Sequence, residues 1–82
     1  MVRIAAQVSL YPLRKTHMGQ PVTDAVEVFH RAGLEVQMGP MSTMLVGEAH
    51  ALFSALEEAF TAACENGSTI LVATVSNACP VA

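Results

Sequence analysis

The chain has 82 residues, of which 52% are hydrophobic and 13% charged, and its formal net charge is −3. This composition excludes a disordered chain. The acidic charge balance argues against nucleic-acid binding. No apolar run reaches the roughly 20 residues that a membrane span needs. Two cysteines are too few for the disulfide framework of a small secreted domain, so we expect a cytoplasmic protein. Because no apolar run is long enough, we also expect no direct membrane insertion.

The first predicted element is a β-strand over residues 2–11. Hydrophobicity alternates along this segment with a period of two, which is typical of a strand with one buried face. The buried face is predicted to carry Val2, Ile4, Ala6, Val8 and Leu10, and the opposite face Arg3, Ala5, Gln7, Ser9 and Tyr11. Pro12 ends the strand because proline has no N–H to donate, and residues 14–20 are predicted to form a loop.

The second predicted element is a helix that begins at Pro21, since a proline is tolerated in the first helical turn. Val22, Val26 and Phe29 then recur at helical spacing. Gly33 is predicted to end the helix in a left-handed conformation.

A β-hairpin is predicted next. Its strands are residues 34–38 and 41–47, and Gly39 and Pro40 make the tight connection between them. The second strand is predicted to be interior to a sheet, because residues 44–46 are apolar on both of its faces.

Residues 48–66 have the longest helical pattern of the chain, and Gly67 closes it. Its core stripe is predicted to comprise Leu52, Leu56, Ala59 and Ala63, widened by Phe53 and Phe60. Residues 68–77 form the last predicted strand, whose centre is apolar on both faces.

The resulting order βαββαβ, with right-handed crossovers, predicts an α+β fold of the ferredoxin-like (ACT-like) type. In this plait a four-stranded antiparallel sheet carries two helices on one face, the first and third strands are central, and the last strand is an edge. We expect residues 1–82 to form a single module. This edge strand is apolar on both faces, and the chain has more apolar side chains than so small a core can bury. Both features predict a homo-oligomer, either a dimer or a dimer of dimers.

Residues that bind metals or act as nucleophiles lack the spacing of known sites. The soft metal ligands are His17, His30, His50, Cys64 and Cys79. They show no CxxC, HxxxH or HExxH spacing, so we expect no metal and no cofactor. A catalytic acid or base would have to come from Asp24, His30 or His50, which fit helix surfaces better, so we expect that the chain is not an enzyme.

Small polar side chains gather at strand positions. They are Gln7, Ser9 and Tyr11 on the first strand, Ser42 and Thr43 at the start of the third, and Thr74, Ser76 and Asn77 at the end of the fourth. Because the first strand lies between the other two, these groups are expected to converge. They either pair with one another or bind a polar ligand.

Three short motifs resemble the YkoF-type thiamine/hydroxymethylpyrimidine-binding family. They are Ser9-Leu10-Tyr11-Pro12, Ser42-Thr43-x-Leu45-x-Gly47 and Ser76-x-x-Cys79-Pro80. The motifs occur in the family's order and span nearly the whole chain. The resemblance implies non-catalytic binding of thiamine or its hydroxymethylpyrimidine moiety, accessory to the uptake or metabolism of thiamine precursors. The ligand residues that we expect are Ser9, Tyr11, Ser42, Thr43, Ser76 and Asn77. The better-described members of this family hold two such modules in tandem in one chain. A dimer of the present chain would bring two modules together in the same way.

The chemistry of such a ligand suits these side chains. An aminopyrimidine presents ring nitrogens that accept hydrogen bonds and an amino group that donates them, and a thiazolium cation suits Glu35, Glu48 or Tyr11. On this basis Thr43→Val is expected to weaken pyrimidine binding without affecting folding. The alternative is an ACT-like regulatory or assembly module that binds an amino acid or a protein partner, with its hydroxyls paired internally or buried between subunits.

Overall fold

The computed structural model describes residues 2–13, 19–65 and 67–78. Its six elements are β1 (Arg3–Pro12), α1 (Gly19–Arg31), β2 (Glu35–Met38), β3 (Thr43–Glu48), α2 (Ala49–Cys64) and β4 (Thr69–Ser76). All strand pairs are antiparallel, and the sheet order is β2-β3-β1-β4. The predicted ferredoxin-like plait is therefore confirmed, with β1 and β3 central and β4 at an edge.

Alternation along β1 determines which of its side chains enter the core. Ile4, Ala6 and Val8 are buried under the helices, whereas Gln7 and Tyr11 on the opposite face are exposed. Ala5 is buried as well, although it lies on the same face as Gln7. The alternating pattern thus placed Ile4, Ala6 and Val8 correctly, whereas Val2, which was predicted to be buried, precedes the strand and is 57% exposed.

The start of α1 differs from the prediction by two residues. The helix begins at Gly19 rather than Pro21, and residues 14–18 of the predicted loop lie outside the described residues. Pro21 then occupies the third helical position, where a backbone N–H has no partner within the helix.

The end of α1 is a Schellman motif, as the position of Gly33 predicted. Gly33 has φ +81°. Its N–H donates to the carbonyl of His30 at 3.1 Å, and the N–H of Leu34 donates to the carbonyl of Phe29 at 3.2 Å. Leu34 and Phe29 are both buried in the core, so the motif also directs the chain from α1 into β2.

The hairpin of β2 and β3 is confirmed, and β3 is interior as predicted. Residues 39–42 connect the strands, and the Gly39 N–H donates to the Ser42 carbonyl at 2.8 Å. Gly47 permits a close approach within this hairpin, because a Cβ atom there would overlap the side chain of Leu34. A larger residue at position 47 would therefore require the end of the Leu34 side chain to shift.

Helix α2 begins with a side-chain cap. Glu48 is the N-cap residue, and its carboxylate accepts the N–H of Ala51 at 2.9 Å. The backbone N–H groups of Ala51 and His50 lower the pKa of Glu48, because they stabilise the charged carboxylate. The helix ends at Cys64, two residues before the predicted end.

The core stripe of α2 was predicted only in part. The buried residues of the helix are Leu52, Ala55, Leu56, Ala59 and Ala63. Phe53 and Phe60 do not widen this stripe, since they are 53% and 37% exposed. Each phenylalanine directly follows a core residue and therefore lies about 100° around the helix from it. Placing both in the core stripe was wrong.

The core lies between the sheet and the helix layer, where Leu45 of β3 and Leu52 of α2 are fully buried. Within the ranges that the structure describes, neither helix has the length and apolarity needed to cross a membrane.

Candidate functional site

The sheet face turned away from the helices, here called the open face, carries a row of four side chains at its middle. Gln7 on β1 lies opposite Met44 on β3 and Thr74 on β4, and Gln37 on β2 lies opposite Met44. Directly opposed residues of antiparallel strands point to the same side of a sheet. The row therefore runs across the open face from one edge to the other.

Hydrogen bonds connect this row to the start of β3. The Gln7 side-chain N–H donates to the Ser42 hydroxyl at 3.0 Å, and the Ser9 hydroxyl donates to the Met41 carbonyl at 3.4 Å. We call Gln7, Ser9, Ser42 and Thr74 the polar cluster. Its members offer both kinds of hydrogen-bonding group, since an amide and hydroxyls each donate and accept.

Exposed apolar side chains surround the polar cluster. Val72 lies opposite Ser9, and Ile70 lies opposite Tyr11. Val72, Ile70 and Tyr11 are each about half exposed, and Met44 is more than a third exposed. A flat ring placed over the polar cluster would therefore meet apolar surface at its edges and hydrogen-bonding groups beneath it.

The predicted convergence of polar groups holds for Gln7, Ser9, Ser42 and Thr74 but not for Thr43, Ser76 or Asn77. Ser76 lies opposite Ala5, four residues and roughly 13 Å along β1 from Ser9. Its hydroxyl accepts the N–H of Ala78 at 2.9 Å and so shapes a local turn. Asn77 is exposed beyond the strand end. The side chain that β4 brings to the polar cluster is Thr74 instead.

Thr43 is separated from the polar cluster by the sheet itself. It lies opposite Val8 on the helix-covered face and is 9% exposed. There it lines a small cavity with Val8, Leu10, Ala25, Val26, Phe29, Ala59 and Leu71. The cavity volume is about 20 Å³, which is room for about one water molecule. Ser42 and Thr43 are adjacent in sequence, and their side chains therefore lie on opposite faces of the sheet.

The two carboxylates expected to meet a cation already have partners within the chain. Glu35 forms an ion pair with Arg3 at 3.2 Å, and Glu48 caps α2. Tyr11 remains as the expected cation partner on the open face. Within the described ranges, the rows of Gln7 and Ser9 contain no charged side chain.

The titratable residues considered for catalysis or metal binding lie apart from the polar cluster. Asp24, His30 and His50 are exposed on the helices, which cover the other face of the sheet. Among the described residues no three His, Cys, Asp or Glu side chains are grouped as metal ligands would be. His17 and Cys79 lie outside the described residues.

Gln7, like Thr74, belongs to the polar cluster but was omitted from the sequence-based choice of ligand residues. The period-two pattern already placed it on the same face as Ser9. Its place in the polar cluster comes from the strand register, which sets it between Met44 and Thr74 and within reach of Ser42. Hydrophobic periodicity carries no information on that register.

Comparison with known proteins gives one family match. The model of a family described as thiamine-binding protein matches residues 6–76, which include the whole polar cluster. None of the curated proteins compared with the chain matches it.

Several solved structures share the fold. A hypothetical protein from Methanocaldococcus jannascii superposes with a TM-score of 0.86 at 26% identity, covering 93% of this chain and 80% of that one. A DUF77 domain of unknown function from Bacillus cereus superposes with a TM-score of 0.80 at 24% identity, covering 92% of this chain and 75% of that one. A candidate thiamine biosynthesis/salvage protein from Thermotoga maritima superposes with a TM-score of 0.78 at 15% identity, covering 89% of this chain and 81% of that one.

Proposed function

Because the chain belongs to the thiamine-binding protein family, we propose that it binds thiamine or its hydroxymethylpyrimidine moiety without transforming it. Membership confirms the resemblance that the three motifs predicted. The name of the Thermotoga maritima neighbour, which refers to thiamine biosynthesis or salvage, supports a role in the handling of thiamine precursors.

The observation that carries the proposal is the hydrogen bond between Gln7 and Ser42 on the open face. This bond uses one N–H of the Gln7 amide, which also has a second N–H and a carbonyl oxygen. An aminopyrimidine needs donors for its ring nitrogens and an acceptor for its amino group. The amide of Gln7 with the hydroxyls of Ser9 and Ser42 supplies both.

The lack of charge in the polar cluster favours a neutral heterocycle over an amino acid. A bound zwitterion would need charged or strongly polar partners for its ammonium and carboxylate groups. Among the described residues, the polar groups in the rows of Gln7 and Ser9 are uncharged amides and hydroxyls. Tyr11 lies two residues and about 7 Å along β1 from Ser9, and we expect its ring to face the thiazolium cation of bound thiamine.

The size of the ligand also favours the open face over the cavity beside Thr43 as the binding site. The cavity beside Thr43 has the volume of about one water molecule, and a pyrimidine ring is several times larger. We therefore assign the ligand to Gln7, Ser9, Tyr11 and Ser42. Thr43 is on the other face, and Ser76 and Asn77 are at the far end of the sheet.

We propose that this module acts in the cytoplasm as an accessory binding protein and a homo-oligomer. The exposed apolar residues of the open face support self-association, since isolated soluble domains rarely expose large apolar patches. The absence of catalysis is part of the proposal. It is supported by the location of Asp24, His30 and His50 on the helices, across the sheet from the polar cluster.

A series of thermal melts tests the function. Thiamine, hydroxymethylpyrimidine and thiamine diphosphate are each added to the protein, with common amino acids as a parallel set. A ligand at about 100 times its dissociation constant stabilises the fold by roughly 2.7 kcal/mol, which is a shift of several degrees for a domain of this size. We expect that shift with pyrimidine compounds. A shift with amino acids alone would support the ACT-like regulatory role instead.

A further inference from the structure

Three methionines lie exposed on the hairpin of β2 and β3. They stand three residues apart, at positions 38, 41 and 44, and their exposed fractions are 59%, 83% and 37%. Methionine is a flexible apolar residue that commonly fills irregular gaps in a core. None of these three belongs to the core cluster of the described residues. Core packing therefore does not explain why the hairpin carries them.

Met44 is the one of the three that lies in the candidate site. It stands on the open face, directly opposite Gln7 of β1 and Gln37 of β2. Side chains opposed in this way have Cβ atoms about 5 Å apart, whereas diagonal neighbours are about 7 to 8 Å apart. The Gln7 amide already reaches Ser42, two residues along β3 from Met44, across such a diagonal. The same amide can therefore reach a polar group at position 44.

The other two methionines stand apart from the row of Gln7. Met38 lies opposite Thr43, so its side chain is on the helix-covered side of the sheet. Met41 lies in the connection of the hairpin, and its backbone carbonyl accepts the Ser9 hydroxyl. Both are more exposed than Met44, so a reagent that attacks methionine reaches them at least as readily. They serve as internal references for any effect at Met44.

The chemistry open to an exposed methionine is oxidation by a peroxide to methionine sulfoxide. A sulfur lone pair attacks one peroxide oxygen, the O–O bond breaks, and the second oxygen leaves as water. The sulfur loses two electrons, and the peroxide gains them. An apolar thioether thus becomes a polar S=O group that accepts hydrogen bonds. A face that admits a pyrimidine ring also admits hydrogen peroxide, which is much smaller.

We propose that Met44 is a peroxide-sensitive modification site that controls ligand binding on the open face. Oxidation of its sulfur places an acceptor beside the Gln7 amide, which then donates to the sulfoxide oxygen instead of to the ligand. The same step removes apolar surface from beneath a bound ring. Both changes weaken binding, and enzymatic reduction of the sulfoxide to the thioether restores the site. This inference rests on the proposed binding function, because it takes the open face as the ligand site.

The surroundings of Met44 allow the change without damage to the fold. An amide donor stands on each side of it, at Gln7 and Gln37, so the sulfoxide oxygen gains hydrogen-bond partners without movement of the strands. Oxidation of a buried methionine would instead place an unpaired polar group in the core. At position 44 the oxidation alters the surface that a ligand meets and leaves the core as it was.

The test measures the affinity of the full chain for hydroxymethylpyrimidine by calorimetric titration, before and after treatment with hydrogen peroxide. Dithiothreitol added after the peroxide reduces sulfenic acids and disulfides, and peptide mass spectrometry shows which methionines have gained an oxygen atom. We expect oxidation to weaken binding by the wild-type protein about tenfold. Circular dichroism verifies that the oxidised protein keeps its secondary structure.

Two variants separate Met44 from the other oxidisable residues, each protein being compared with itself before and after peroxide. Met44→Leu replaces the thioether with an apolar side chain of similar volume, so peroxide should change its affinity by less than about twofold. The double variant Met38→Leu with Met41→Leu keeps Met44. Peroxide should weaken binding by this variant as much as it weakens binding by the wild-type protein.

Bound ligand provides a second readout, which does not depend on the affinity of the oxidised protein. Saturating hydroxymethylpyrimidine covers Met44 and should slow its oxidation several-fold, while the oxidation of Met41 keeps its rate. The two rates are measured on the same sample from the oxygen gained by each peptide.

The outcomes distinguish this inference from the function on which it rests. If the reduced wild-type protein does not bind hydroxymethylpyrimidine, the proposed function fails and the inference fails with it. If the reduced protein binds and full oxidation of Met44 leaves the affinity unchanged, the inference alone is overturned. A loss of binding after peroxide that is as large in Met44→Leu as in the wild-type protein would also overturn it, because another residue would then be the sensitive one.

Discussion

The substitution Leu45→Ala is expected to reduce the free energy of unfolding by about 3 to 5 kcal/mol. Leu45 is 0% exposed on the central strand β3 and belongs to the core cluster that the helices cover. Removing its side chain loses the transfer free energy and leaves a cavity that neighbouring strands cannot close. A chain of this length has a total stability of roughly 4 to 12 kcal/mol, so this one change removes a large part of it.

The matched control is Met44→Ala, one residue away on the open face. Because Met44 is 37% exposed, we expect its replacement to cost less than about 1 kcal/mol. Urea unfolding at a fixed protein concentration measures both variants, since self-association would otherwise shift the midpoint. Equal losses in the two variants would contradict the assignment of the two faces of β3.

Replacing Gln7 with leucine is expected to weaken the binding of hydroxymethylpyrimidine by about 10- to 100-fold. Leucine is similar in size to glutamine but offers no hydrogen bond, so polar groups of the ligand and the Ser42 hydroxyl would lose their partner. The expected loss corresponds to about one unpaired donor or acceptor at the site. Folding should be little affected, because Gln7 is exposed.

The control for this change is Gln37→Leu. Gln37 lies in the same row of the open face as Gln7 but on the edge strand β2, two strands away. The same chemical change there should leave the affinity within about twofold, as measured by calorimetric titration. Identical affinities for the two leucine variants would remove Gln7 from the site.

Local signals in the sequence were sufficient for the fold. The period-two pattern of β1 separated its two faces, and Gly33 marked the end of α1 because a left-handed residue was needed there. The apolar run at residues 44–46 placed β3 in the interior of the sheet. Each of these features depends on residues close together in the chain, which is why the sequence alone revealed them.

Local sequence patterns could not predict which residues belong to the candidate site. A strand that is apolar on both faces has no alternation, so nothing in the sequence showed that Ser42 belongs to the open face and Thr43 to the helix-covered face. The position of Gln7 between Met44 and Thr74 likewise follows from strand register. The two exposed phenylalanines of α2 were misplaced because hydrophobicity was assumed to mean burial.

The neighbouring pair Ser42 and Thr43 provides the most direct test of the central claim, which is that the ligand binds on the open face. Calorimetric titration with hydroxymethylpyrimidine compares Ser42→Ala and Thr43→Val with the wild-type protein. We expect Ser42→Ala to weaken binding about tenfold and Thr43→Val to leave it within about twofold, in contrast to the expectation from sequence alone. Weakening by Thr43→Val with full affinity in Ser42→Ala would contradict the account and place the ligand between the sheet and the helices.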